Sequence, residues 1–210
     1  MNWQRINKFF NWCVAGLGIS LLIAPVAFAH VDAGETSNFG HGLQHPIGGL
    51  DHILAMVAIG LWAGQLGGHA LWAVPLAFVG VMGGGWGMAV AQIPFPVPIV
   101  EHGVIASDLI LGGLVLCASR FPLWLNCTIA GVMAIFHGYA HGTEMPTTGT
   151  AWEYALGFLV ATIGLHAVGI GVAVLAQKYL KPLALRILGG LVCAGGIYVM
   201  INAIFFPSVE

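Results

Sequence analysis

Two short stretches concentrate imidazoles and carboxylates in a chain that is otherwise apolar. The first, HPIGGLDHILAM at 45–56, carries His45, Asp51 and His52; the second, FHGYAHGTE at 136–144, carries His137, His141 and Glu144. In a helix His137 and His141 stand one turn apart, with Glu144 three residues on and Met133 a turn below, so they form one stripe. If a helix begins near Pro46, His45 and His52 share a face and Met56 continues it one turn deeper. Asp51 then points about 100° away. It joins the site through a bend at Gly48–Gly49, or it accepts an imidazole N–H from behind the ligands.

Imidazole together with carboxylate suits a borderline divalent ion: Ni²⁺, Co²⁺, Cu²⁺, Zn²⁺ or Fe²⁺. Mg²⁺ and Ca²⁺ sites take oxygens almost alone. The lack of clustered thiolates disfavours Cu(I) and iron–sulfur centres; Cys117, Cys127 and Cys193 lie in apolar runs without CxxC spacing and read as packing residues. A single histidine would be read as packing too. Four histidines and two carboxylates at matched depth on two helices read as metal ligands, because each charge at mid-membrane costs roughly 2.5–3.5 kcal/mol.

Other residues are weaker candidates. Asp108 should lie about 8 Å into its helix; it is either a pathway or coupling carboxylate or a group neutralised by a proton or hydrogen bond. Glu101 and His102 read as a solvated helix start, and Glu153 as an interfacial charge. His166, about 14 residues into its span, is either an inner relay or a packed histidine. His41, four residues before His45, either captures metal or is a polar loop residue.

These side chains need a membrane scaffold to position them. The chain is 59% hydrophobic and 7% charged with a mean hydropathy of +0.92, against roughly 25% charged for a soluble domain. This is the composition of an all-α polytopic membrane protein. The formal net charge is −2, and nine histidines outnumber six Lys plus Arg. With no basic block, neither nucleic-acid binding nor a polybasic lipid-binding surface is supported.

Residues 1–29 read as a cleavable signal peptide: Arg5 and Lys8, an apolar run, then Ala27-Phe28-Ala29 as a small-x-small cleavage site. His30 would then begin the mature chain, with an amine and an imidazole that could chelate metal together. Residues 30–210 read as a single six-helix transmembrane domain. Its polar first segment, 31–44, is followed by spans near 47–66, 70–91, 103–119, 121–140, 152–176 and 182–206. Gly67-Gly68-His69, the Pro94–Pro98 run, Arg120-Phe121-Pro122 and the 143–150 loop separate them. Glycines at 80, 83, 84, 85 and 87, and at 164, 169 and 171, read as close helix packing. There is no convincing internal repeat.

Signal cleavage leaves the mature N-terminus outside a bacterial cytoplasmic membrane. Loops after the odd spans are then cytoplasmic, and Arg120, Lys178, Lys181 and Arg186 all fall there. Both mature termini and both histidine stretches face the periplasm.

The pair of motifs resembles the HupE/UreJ family, membrane proteins associated with hydrogenase and urease systems and regarded as nickel permeases. The first family motif, His, five residues, Asp-His, is met by His45, Asp51 and His52. The second, Phe-His-Gly-x-Ala/Val-His-Gly-x-Glu, is met by Phe136, His137, Gly138, Ala140, His141, Gly142 and Glu144. The resemblance extends over the mature chain. It implies inward movement of Ni²⁺, or of Co²⁺, as the transported ion, with no catalytic cofactor.

The residues themselves leave rivals open: a membrane metalloenzyme of zinc-hydrolase or di-iron type using the same cluster, or a metal-binding sensor or chaperone. With no Walker A segment, dependence on ATP would need another subunit. Imidazoles ligate only when neutral, so metal uptake should weaken as pH falls through their titration range.

Overall fold

The computed structural model describes residues 38–146 and 150–206. The expected signal peptide, its cleavage site and His30 lie outside the described residues.

Seven helices and no strands are formed among the described residues: α1 (Asn38–Gly48), α2 (Leu50–Leu66), α3 (Ala70–Val90), α4 (Val97–Leu116), α5 (Leu123–Thr143), α6 (Ala151–Tyr179) and α7 (Leu183–Phe205). The last five are each long and apolar enough to cross a membrane; α1 and α2 pass that test together as one span bent by 81°. Their surface is inverted relative to a soluble bundle. Trp72, Leu76, Trp124, Trp152, Ile163 and Phe205 face outward, while Ser107, Asp108, Asn126, His137, His141, Thr162 and His166 are buried. Lipid imposes that arrangement, since it solvates apolar side chains and strands polar ones. The chain is a multi-pass membrane protein.

Proline and glycine mark the turns as the sequence requires. Pro96, Pro122 and Pro182 immediately precede α4, α5 and α7, where a missing N–H costs nothing. Pro98 sits in the first turn of α4, so that helix begins six residues before the expected 103. Gly67 and Gly68 turn α2 into α3 with φ of 72° and 54°, a region open to glycine. Helix α1 is the larger departure, because it occupies part of the segment expected to be an irregular polar lead-in. A docked backbone holds it: a Cβ on Gly42 would fall on the carbonyl of Tyr154, and one on Gly157 on the carbonyl of Phe39.

The main pairings are α3 against α5, α2 and α1 against α6, and α4 against α7. Glycine allows these approaches. Gly60 and Gly169 seat α2 on α6, and Gly138 meets the Met82 carbonyl of α3. The close-packing expectation is met at Gly85 and Gly169. Gly80, Gly83, Gly84, Gly87, Gly164 and Gly171 instead have open space where a Cβ would stand.

One end of the bundle is tied by cations and amides on helix C-termini. Arg120 donates to the Gln65 and Leu66 carbonyls at 3.0 and 3.5 Å, and Arg186 Nε donates to the Leu116 carbonyl at 2.8 Å. These are carbonyls that the helices cannot satisfy themselves, at the negative end of the helix dipole. The histidine motifs converge at the opposite end.

Candidate metal centre

Helix α1 stops at Gly48 and α2 restarts at Leu50, with Gly49 between them in an extended conformation, φ −101° and ψ 127°. His45 and His52 therefore do not share a face of one helix, as an unbroken helix from Pro46 would have it. On such a helix seven residues would separate them by about 10.5 Å along the axis. The break brings their ring centroids to 5.8 Å. His141 of α5 closes the group, 4.8 Å from His45 and 4.9 Å from His52.

One donor atom from each of His45, His52 and His141 lies within 4.8 Å of the others. Around one ion with bonds of about 2.1 Å, donors stand roughly 3–4 Å apart. Shifts of well under an ångström per ring would close that difference. The rings are buried on His52 and His141 and half-buried on His45, so the group sits just inside a mouth.

The surrounding polar groups orient these rings. Asp51 Oδ1 accepts the backbone N–H of His52 at 2.8 Å and its ring Nδ1–H at 2.9 Å. That leaves Nε2, buried and without a hydrogen-bond partner, as the free lone pair. Of the two roles open to Asp51, the geometry matches the acceptor behind the ligand, and it is the Gly48–Gly49 bend that brings His52 to His45. A Cβ on Gly49 would stand 2.6 Å from Asp51 Oδ1 and 3.2 Å from His52 Nδ1, so the pair needs glycine there.

His137 lies one turn deeper, its ring 4.9 Å from His52. The Ser107 hydroxyl donates to the Val104 carbonyl at 2.6 Å and so accepts from His137 Nε2–H at 2.9 Å, leaving His137 Nδ1 free and unpartnered. Neither nitrogen of His141 has a partner, and its ring is stacked on Phe158 at 4.6 Å and 12°.

At the mouth, Glu144 Oε2 is 2.9 Å from His45 Nε2. Burial pushes the Glu144 carboxyl upward, but the His45 hydrogen bond and charge outweigh it, so the group rests below the ordinary carboxylate range.

The six motif residues are thus gathered at one end of the bundle, and the weaker candidates are dispersed. Met56 is fully buried one turn below His52. Met133 lines a groove on the side of the bundle with Pro98, Ile99, His102 and Phe136. Asp108 is buried with both oxygens unpartnered and faces α7, where its Cβ abuts Gly196. His41 is half-buried on α1, Glu153 is half-buried on α6, and Glu101 and His102 are exposed. His166 is buried deeper, against Phe78.

Three neighbours of the site carry no motif: Ser107, Phe78 and Tyr154. Phe78 touches the His137 ring at 5.7 Å. Tyr154 is buried 6.0 Å from the His45 ring, its hydroxyl without a partner. A hydroxyl in an apolar run was their only signal in the sequence, and Phe78 had none.

Residues 18–199 match the family described as HupE / UreJ protein. Protein HupE of Rhizobium leguminosarum bv. viciae is 41% identical over 183 residues, which cover 87% of this chain and 94% of that protein. No solved structure matches the chain. With its two histidine motifs folded into one buried cluster inside a multi-pass helical bundle, the chain belongs to the HupE/UreJ family.

Proposed function

We propose that this protein is a secondary permease for Ni²⁺ or Co²⁺, moving the ion from periplasm to cytoplasm. The observation that carries the reading is the convergence of His45, His52 and His141 donors within 4.8 Å, two of them buried and His45 half-buried at a mouth. Orphaned imidazole nitrogens in a membrane are unfavourable unless something binds them. The resemblance of its two motifs to the HupE/UreJ family, regarded as nickel permeases, supports the choice of ion class.

The ion is collected at Glu144 and His45, held among His45, His52 and His141, and passed to His137 beside Met56, with Asp51 and Ser107 fixing the rings. Met133, in the lateral groove, and Asp108, facing α7, stand off this path, and His41 of α1 is a lesser contributor at its entrance. The orientation rests on Arg120, Lys178, Lys181 and Arg186, whose positions at the far end fit the cytoplasmic side of a bacterial inner membrane. The domain is residues 30–210, after a signal peptide at 1–29. Few ligands and several stations suit conduction, because an ion held too tightly would not leave.

The test is radioactive nickel uptake into proteoliposomes containing the purified protein. Wild type is expected to load vesicles above empty controls, and His52→Ala or His137→Ala to abolish loading while still inserting. Metal binding without uptake by wild type would overturn the permease in favour of an enzyme or sensor.

A further inference from the structure

His166 has the chemistry of a ligand in the setting of a core residue. Its side chain is 2% exposed, and neither ring nitrogen has a hydrogen-bond partner. Burying an unsatisfied polar group is unfavourable, and a leucine would fill the same space without that cost. Packing alone is therefore a poor account of it.

Its neighbours point the same way. The Phe78 ring of α3 meets His166 at 5.3 Å, nearly perpendicular, and also meets His137 at 5.7 Å. One turn along α3 from Phe78, Met82 Sδ lies 4.0 Å from the hydroxyl of Thr162, which is one turn from His166 on α6. Phe78, Met82, Thr162, His137 and His166 are all buried. From the His45, His52 and His141 group the imidazoles continue through His52 to His137, and Phe78, in contact with both His137 and His166, links this series to the deeper histidine.

Resting on the transport reading, we infer that His166, with the Thr162 hydroxyl one turn away on α6 and the Met82 thioether against that hydroxyl, is a second station for the same divalent ion, and that the Phe78 ring, which touches both His137 and His166, is the barrier between it and the mouth. An imidazole and a thioether are acceptable donors to a borderline ion. A hydrophobic constriction of this kind blocks water and ions until the ring turns aside. Transfer is a ligand exchange from His137 to His166, with no change in the oxidation state of the metal.

The experiment pairs equilibrium Ni²⁺ binding with initial uptake in proteoliposomes for wild type, His166→Leu and His166→Met. Wild type is expected to bind about two ions per chain and His166→Leu about one. His166→Leu should lower uptake about tenfold or more, while the affinity of the mouth site stays within about twofold of wild type. His166→Met, which restores a donor at similar volume, should exceed His166→Leu in uptake. The inference is overturned by a wild type that binds one ion, by undiminished uptake in His166→Leu, by equal loss of mouth binding and uptake, or by no gain from methionine. A wild type that binds two ions but transports none overturns the permease and leaves the second station standing.

Discussion

Replacing Asp51 by asparagine keeps the shape of the side chain and removes its charge. One oxygen of Asp51 accepts two hydrogen bonds from His52, at 2.8 and 2.9 Å. Bonds to a charged partner contribute roughly 1.5–3 kcal/mol each, against about 0.5–1.5 kcal/mol for neutral ones. With the amide oxygen in the same position, the variant therefore loses around 2 kcal/mol across the two bonds. The loss falls on His52, whose ring becomes a weaker base and is less firmly aimed at His45 and His141. Removal of such supporting partners lowers metal affinity about 10–100-fold, which is roughly 1.4–2.8 kcal/mol and the same order. The assay is Ni²⁺ binding to purified protein together with uptake across a range of nickel concentrations. Half-saturation should rise by that factor, with the maximal rate close to wild type because release from the site is no harder. An affinity within about twofold of wild type would refute the role given to Asp51. So would a lower maximal rate at unchanged half-saturation.

Two further predictions concern the mouth and the scaffold. Glu144 is held below the ordinary carboxylate range, so its charge is present above that range and is lost as pH falls through the lowered value. An infrared acid titration, with Glu144→Gln as the blank, should show the carboxylate persisting where a free glutamate is half protonated; protonation at the ordinary value would contradict the pairing. Gly138→Ala drives a Cβ onto the Met82 backbone and should destabilise the bundle by about 1–3 kcal/mol, whereas Gly80→Ala, into open space, should be neutral or stabilising by under about 1 kcal/mol. Thermal unfolding of the purified variants compares them, and equal melting temperatures would contradict the packing described.

Hydropathy and proline made the spans from 70 onward legible to within a few residues, apart from the early start of α4. The start of the chain's described part was not legible in the same way. Residues 38–44 are polar and glycine-containing, and they are helical because Gly42 and Gly157 let α1 lie on α6, a contact between segments more than a hundred residues apart. Periodicity carries no trace of that.

The donors themselves were legible because their residue types are costly in lipid. His137 and His141 do lie on one buried stretch of α5. Counting in turns misplaced His45 relative to His52, since the count presumes an unbroken helix. Ser107, Phe78 and Tyr154 acquire their relation to the histidines only through helix pairing. The same cause turns Met133 toward the groove with Phe136, while His137 faces Ser107.

The interruption at Gly49 also limits how far this motif can travel. A peptide bearing HPIGGLDHILAM on a continuous helix would hold its first and last imidazoles too far apart to grip one ion. Grafting the ligands into another bundle would succeed only if the graft also carried the glycine gap and a partner helix with room for the Gly42–Tyr154 contact that holds α1 across the bundle. The portable unit is a bent pair of helices with its seat, and a linear string of donors is not enough.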